Sequence, residues 1–133
     1  MMRPRGLKNN NPGNLRLSGD RWKGLRSEQT DREFFQFVSM AYGYRALLIT
    51  LRNYRVRHGC VTISDFIRRW APPAENNTDS YILRVCDDLQ VPTRFVPDIR
   101  DRSQMCAIAA AISRVENGEP ALLDDIYKGW DMI

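Results

Sequence analysis

The chain has 133 residues, 43% of them hydrophobic and 27% charged, with a net charge of +4. That composition fits one globular domain with a real core and excludes a disordered or low-complexity chain. No apolar run approaches the roughly 20 residues of a membrane-spanning helix, so no span is expected.

The N-terminal run Arg3-Pro4-Arg5-Gly6-Leu7-Lys8 is basic, but no apolar stretch follows it. No signal peptide is expected, and synthesis in the bacterial cytoplasm follows. Asn9-Asn10-Asn11-Pro12-Gly13-Asn14 is turn chemistry. Leu15-Arg16-Leu17 then reads as a short strand, Ser18-Gly19-Asp20 as a tight turn and Arg21–Leu25 as a returning strand. Glu33–Val38 is aromatic and partly alternating, as strands are. Residues 14–38 are therefore expected to form a small antiparallel β ribbon.

After Ser39 the period changes. Ala46, Leu47, Thr50, Leu51 and Tyr54 recur at helical spacing, and Gly59 ends that helix. Thr62 and Asp65 form a capping-box pair for the next one, with Phe66, Ile67 and Trp70 as its buried face. Pro72-Pro73 stops it. Asn77 or Thr78 opens a third helix, whose apolar face is Tyr81, Ile82, Val85 and Leu89. Asp101 or Ser103 starts a fourth, and a short last helix is expected from Pro120 to Lys128. The expected class is mostly α (α+β), one domain over residues 1–133 with a small ribbon near its N-terminus.

Three cysteines, Cys60, Cys86 and Cys106, are far apart and lack metal-ligand spacing. They form no disulfide framework. The one histidine, His58, sits at a helix end and suits a terminal cation better than a base. Serine triads, Cys-His dyads and multi-histidine metal sites are thereby disfavoured, and no metal or cofactor is expected. The positive charge suits polyanions, either nucleic acid or an acidic wall polymer. The basic residues are dispersed and no binding motif accompanies them, which argues against nucleic acid.

The chemically pointed feature is the run Ala109–Pro120. An apolar helical stretch ends on Glu116, with Asn117, Gly118 and Pro120 after it. Desolvation beside a packed helix disfavours the charged form of a carboxyl group. A carboxylic acid that keeps its proton can give it to a leaving oxygen. The competing reading is a solvated Glu before a glycine cap.

Several segments resemble lytic transglycosylases and bacterial-wall glucosaminidases. In those families an apolar helix ends in Glu, then a small polar residue, then Gly and a nearby Pro. Here Val115-Glu116-Asn117-Gly118 occupies that pattern, with Asn117 in place of the usual Ser. Asn10–Arg16 is similar to their Asn-rich turn, Trp22-Lys23-Gly24 and Phe35–Ser39 to their strands, and Thr78-Asp79-Ser80-Tyr81 to a helix start with a groove-lining Tyr. The order is reversed, ribbon first and Glu helix late, as in a circularly permuted lysozyme-like domain. The whole chain also resembles small phage proteins known as virion structural proteins, through its Asn-rich opening and Trp70-Ala71-Pro72-Pro73-Ala74-Glu75-Asn76.

The resemblance implies a phage-encoded peptidoglycan glycosidase: a muramidase, a glucosaminidase or an anhydro-forming lytic transglycosylase. Glu116 is then the general acid. Asp20 is one candidate for a second carboxylate, with Glu28 and Asp31 as rivals. Glu75, on a proline-stiffened loop, is the alternative acid; it can equally serve the next helix start as an anion. Asn11, Asn14, Thr78 and Tyr81 are the substrate-binding candidates, since amides and hydroxyls match sugar hydroxyls and N-acetyl groups. Asx turns and core packing are their alternative roles. The implied partners are the glycan strand and other virion proteins, and the implied site of action is the cell wall, reached from the virion or at lysis. The competing functions are a non-catalytic virion or assembly protein and a basic nucleic-acid binder.

Overall fold

The computed structural model describes residues 3–133. Among them the chain forms α1 (Arg5–Lys8), α2 (Met40–His58), α3 (Ile63–Trp70), α4 (Thr78–Leu89), α5 (Arg102–Asn117) and α6 (Leu123–Asp131). Local chemistry sets most of these boundaries. The Ser39, Asn77 and Asp101 side chains accept the backbone N–H of Tyr42, Ser80 and Gln104 and so cap α2, α4 and α5, whereas α1 and α6 begin without a side-chain cap. Thr62 and Asp65 complete the capping box expected of them. Gly59 and Gly118 end α2 and α5 in the left-handed conformation. The last helix starts after Leu122 rather than at Pro120 and runs on to Asp131.

The α+β expectation is corrected: the fold is mostly α, with no β-strand among the described residues. Where residues 14–38 were expected to form a ribbon, two isolated antiparallel bridges remain, Arg16 to Phe34 and Leu25 to Phe37. The lysozyme-like, circularly permuted arrangement was inferred from that ribbon and loses its basis with it. The physical reason lies in side chains that compete for the backbone. Asn11 Nδ2 donates to the carbonyls of Leu15 and Phe35, at 3.0 and 2.9 Å. Gln36 Oε1 accepts the backbone N–H of Thr30 and Asp31, and Gln29 bonds both backbone groups of Gln36. These side chains satisfy groups that a ladder would have paired.

The main core lies between α2, α3, α4, α5 and α6, around Tyr44, Leu51, Phe66, Ile67, Ile112 and Ile126. Each such side chain contributes about 1.5–3 kcal/mol by leaving water. The axes of α2 and α6 come close because α6 carries Gly129. A Cβ there would lie 2.7 Å from the Ala41 carbonyl oxygen. A smaller cluster of Phe35, Phe37 and Ala46 anchors the irregular N-terminal segment onto α2. That anchoring places the Asn-rich loop against the C-terminal end of α5.

Candidate active site

Glu116 lies in the last turn of α5, half-buried. The C-terminal end of a helix presents carbonyls rather than N–H groups, so donors for this carboxylate must come from other elements. Two side chains supply them. Asn14 donates from Nδ2 to Oε1 at 2.9 Å, and the Tyr81 hydroxyl donates to Oε2 at 2.8 Å. The Trp70 indole N–H in turn donates to the Tyr81 hydroxyl at 3.1 Å. With its oxygen receiving that bond, Tyr81 turns its own hydrogen toward Glu116. Burial, and then the nearby Glu116 charge, hold the Tyr81 phenol well above its ordinary value. It stays a neutral donor. Trp70 closes α3 and Tyr81 lies in the first turn of α4, so three helices converge on one carboxylate.

Asn14 reaches Glu116 from the N-terminal loop. Its φ of 50° is left-handed, a conformation that Asn tolerates better than most residues. Asn11 holds the loop in shape: it is fully buried, and its Oδ1 also accepts the Leu15 N–H at 2.9 Å. Asn117 ties the loop to α5, donating to the Pro12 carbonyl at 2.9 Å. Gly6 sits against both asparagines. A Cβ there would overlap Asn117 Oδ1 and come within 3.0 Å of Asn14 Oδ1. These two amide oxygens are buried without a hydrogen-bond donor.

Glu116 opens onto a cleft of about 280 Å³, lined also by Gly13, Asn14, Arg16, Phe34, Trp70 and Glu75. Glu75 comes from the loop after Pro72-Pro73 and pairs with Arg16 at 3.6 Å. One wall is thus the N-terminal segment and the other the proline loop. The cleft holds two carboxylates, two side-chain amides (Asn14 and Asn76), a guanidinium and three aromatic side chains, Tyr54 among them.

The structure brings together Glu116, Asn14 and Tyr81, and places Glu75 in the same cleft. It does not bring the others there. Tyr81 itself stands behind Glu116, not on the cleft surface. Asn11 and Thr78 are buried; Thr78 donates to the Ala71 carbonyl and joins the start of α4 to the end of α3. Asp20 is exposed in its turn, bonded to Ser18, and is absent from the cleft lining. Glu28 is exposed, also outside the lining. Asp31 is occupied: Arg5 bonds both its oxygens, at 2.6 and 2.7 Å, and Asn9 adds a third donor. The Arg5 guanidinium, with backbone N–H groups of Glu33 and Phe34, holds the Asp31 carboxyl well below the usual carboxylate range.

Among the cleft residues that the sequence did not single out as site residues are Trp70, Arg16 and Phe34. Trp70 reads as core from its helical spacing, and Arg16 and Phe34 read as ribbon residues. The usable signal was position: Trp70 directly precedes the Ala-Pro-Pro stop, where a helix face runs out of partners.

No known protein-family model matches the chain. Over 130 residues it is 34% identical to Protein P5 of Pseudoalteromonas phage PM2, an alignment spanning 96% of this chain and 80% of that protein. The chain belongs to the Protein P5 family. A phage association for this family accords with the resemblance to virion proteins read from the sequence. No described helix of this family member is long and apolar enough to cross a membrane.

Proposed function

We propose that this protein cleaves the glycan strand of peptidoglycan, with Glu116 as the general acid. The observation that carries the reading is the seat of Glu116. Its carboxyl group faces a cleft and is oriented by two neutral donors from separate elements. No ion pair engages it among the described residues. Each of its oxygens accepts one side-chain bond and keeps a lone pair free for the cleft. A proton delivered there meets the leaving glycosidic oxygen, and positive charge builds at the anomeric carbon.

Glu75 is the second carboxylate of the cleft and the candidate to stabilise that charge or orient water. It pairs with Arg16 across the cleft, at 3.6 Å. Asp20 lies outside the lining and has no part in this scheme. If Glu75 plays no chemical role, the sugar's own hydroxyl attacks and an anhydro end forms.

Incubating the protein with purified peptidoglycan and weighing the released fragments tests the reading. Fragments with reducing or anhydro ends are expected, and the type of end assigns the attacking group. Intact strands after prolonged incubation would overturn the reading and favour a virion or assembly role for the same fold.

A further inference from the structure

A second hollow, of about 520 Å³, lies on the N-terminal segment outside the cleft. Arg3, Arg5, Lys8, Arg26, Asp31 and Gln36 line it. Its charge is not balanced. Asp31 is its one carboxylate and is fully engaged by Arg5 and Asn9. Arg26 is half-buried and bonds only neutral acceptors, the carbonyls of Phe37 and Lys8, each at 2.8 Å. Its side chain is therefore held in place while its charge stays uncompensated. Arg3 and Lys8 have no carboxylate within ion-pair distance among the described residues. Asp31 and, from outside the lining, Glu33 at 3.4 Å both engage Arg5, which leaves Arg3, Lys8 and Arg26 as three cations without a carboxylate partner in one concave space.

The hollow adjoins the cleft. The Phe34 ring lines the cleft and carries Arg5, which lines the hollow, 4.6 Å from its centroid. Arg16, from the cleft side, stands 5.5 Å from the same centroid. A polymer lying in the cleft and continuing past Phe34 arrives at these cations. A neutral sugar gains nothing from three uncompensated charges, whereas an oxyanion gains charge-assisted hydrogen bonds from each.

We infer that this basic hollow binds the carboxylates of the peptide substituents on the glycan strand. The inference rests on the glycan reading of the neighbouring cleft. With Nε and one Nη2 hydrogen of Arg26 taken by carbonyls, its Nη1 and second Nη2 hydrogen are left for a carboxylate, and Arg3 and Lys8 close around it from the surface. The Phe34 platform couples this grip to the sugar chain that Glu116 faces.

The test uses the Glu116→Gln protein, so that binding is read without turnover. Its affinity is measured for soluble peptidoglycan strands with free peptide carboxylates and for the same strands stripped of those carboxylates by amidation, because an amidase would bare a lactyl carboxylate on each muramic residue. A preference of about tenfold for strands with free peptide carboxylates is expected, shrinking as salt rises. Adding Arg3→Ala and Lys8→Ala, both surface changes that leave the Arg26 contacts in place, is expected to remove most of that preference while binding of stripped strands holds. Equal affinity for both strands, a preference that survives the two changes, or an equal loss on both strands would overturn the inference. An absence of cleavage by the unaltered protein would instead overturn the glycosidase reading and leave this binding comparison standing by itself.

Discussion

Replacing Tyr81 with Phe removes a single oxygen from behind Glu116. The ring and its packing stay, since Tyr81 is buried against α3 and α5. Two bonds vanish: the 2.8 Å bond to Glu116 Oε2 and the 3.1 Å bond from Trp70 Nε1. A hydrogen bond to a charged group contributes about 1.5–3 kcal/mol. With it gone, Asn14 alone holds the carboxylate, and the acid is free to rotate out of line with the glycosidic oxygen. Since about 1.4 kcal/mol is tenfold in rate, kcat is expected to fall about 10- to 100-fold. KM is expected to change little, because Tyr81 does not reach the cleft surface. The orphaned indole N–H costs a further ~1–2 kcal/mol of folding stability. Fragment release from purified peptidoglycan gives both kinetic constants, and denaturant unfolding gives the stability. Unaltered kcat in a variant that shows the stability loss would refute the positioning role.

Gly6→Ala is expected to abolish most activity although Gly6 touches no substrate, because its new Cβ must displace Asn117 and Asn14. A crystal structure showing Asn14 still bonded to Glu116 in that variant would contradict this. Asp31→Asn is expected to lower Tm at neutral pH by unpairing Arg5. The folded-state value of Asp31 is depressed, so its stabilising effect is present above the unfolded value of about 3.9 and fades as pH falls below it. The gap in Tm between the two proteins should therefore close on acidification, and a gap that widens would show the wrong sign.

Helices α2 to α5 were legible because their ends are written in short-range chemistry. Thr62 and Asp65 cap by sequence spacing alone, and Gly59 and Gly118 sit where left-handed caps need them. Residues 14–38 misled for a physical reason. Their aromatic alternation is real and buries Phe35 and Phe37, but Asn11, Gln29 and Gln36 take the backbone bonds that strands would use. The single turn of α1 escaped notice within a run rich in Arg, Gly and Asn. In the candidate site, Glu116, Asn14 and Tyr81 each stood out by residue type. Their mutual bonds did not, since Asn14 and Glu116 are 102 residues apart and Tyr81 and Glu116 are 35 apart. Asn11 and Thr78 show the limit of residue type: a polar side chain that serves a backbone carbonyl looks the same in sequence as one that serves a sugar.

The most direct measurement compares the unaltered protein with Glu116→Gln on purified peptidoglycan, with Tm recorded for both. The carboxamide keeps the volume and one acceptor oxygen, which can still receive the Tyr81 hydroxyl while its NH2 faces Asn14, whose amide can turn its unpartnered Oδ1 to it. It cannot deliver a proton. Loss of fragment release with Tm nearly unchanged is the predicted result. Fragment release at the original rate would show that the proton comes from somewhere other than the end of α5.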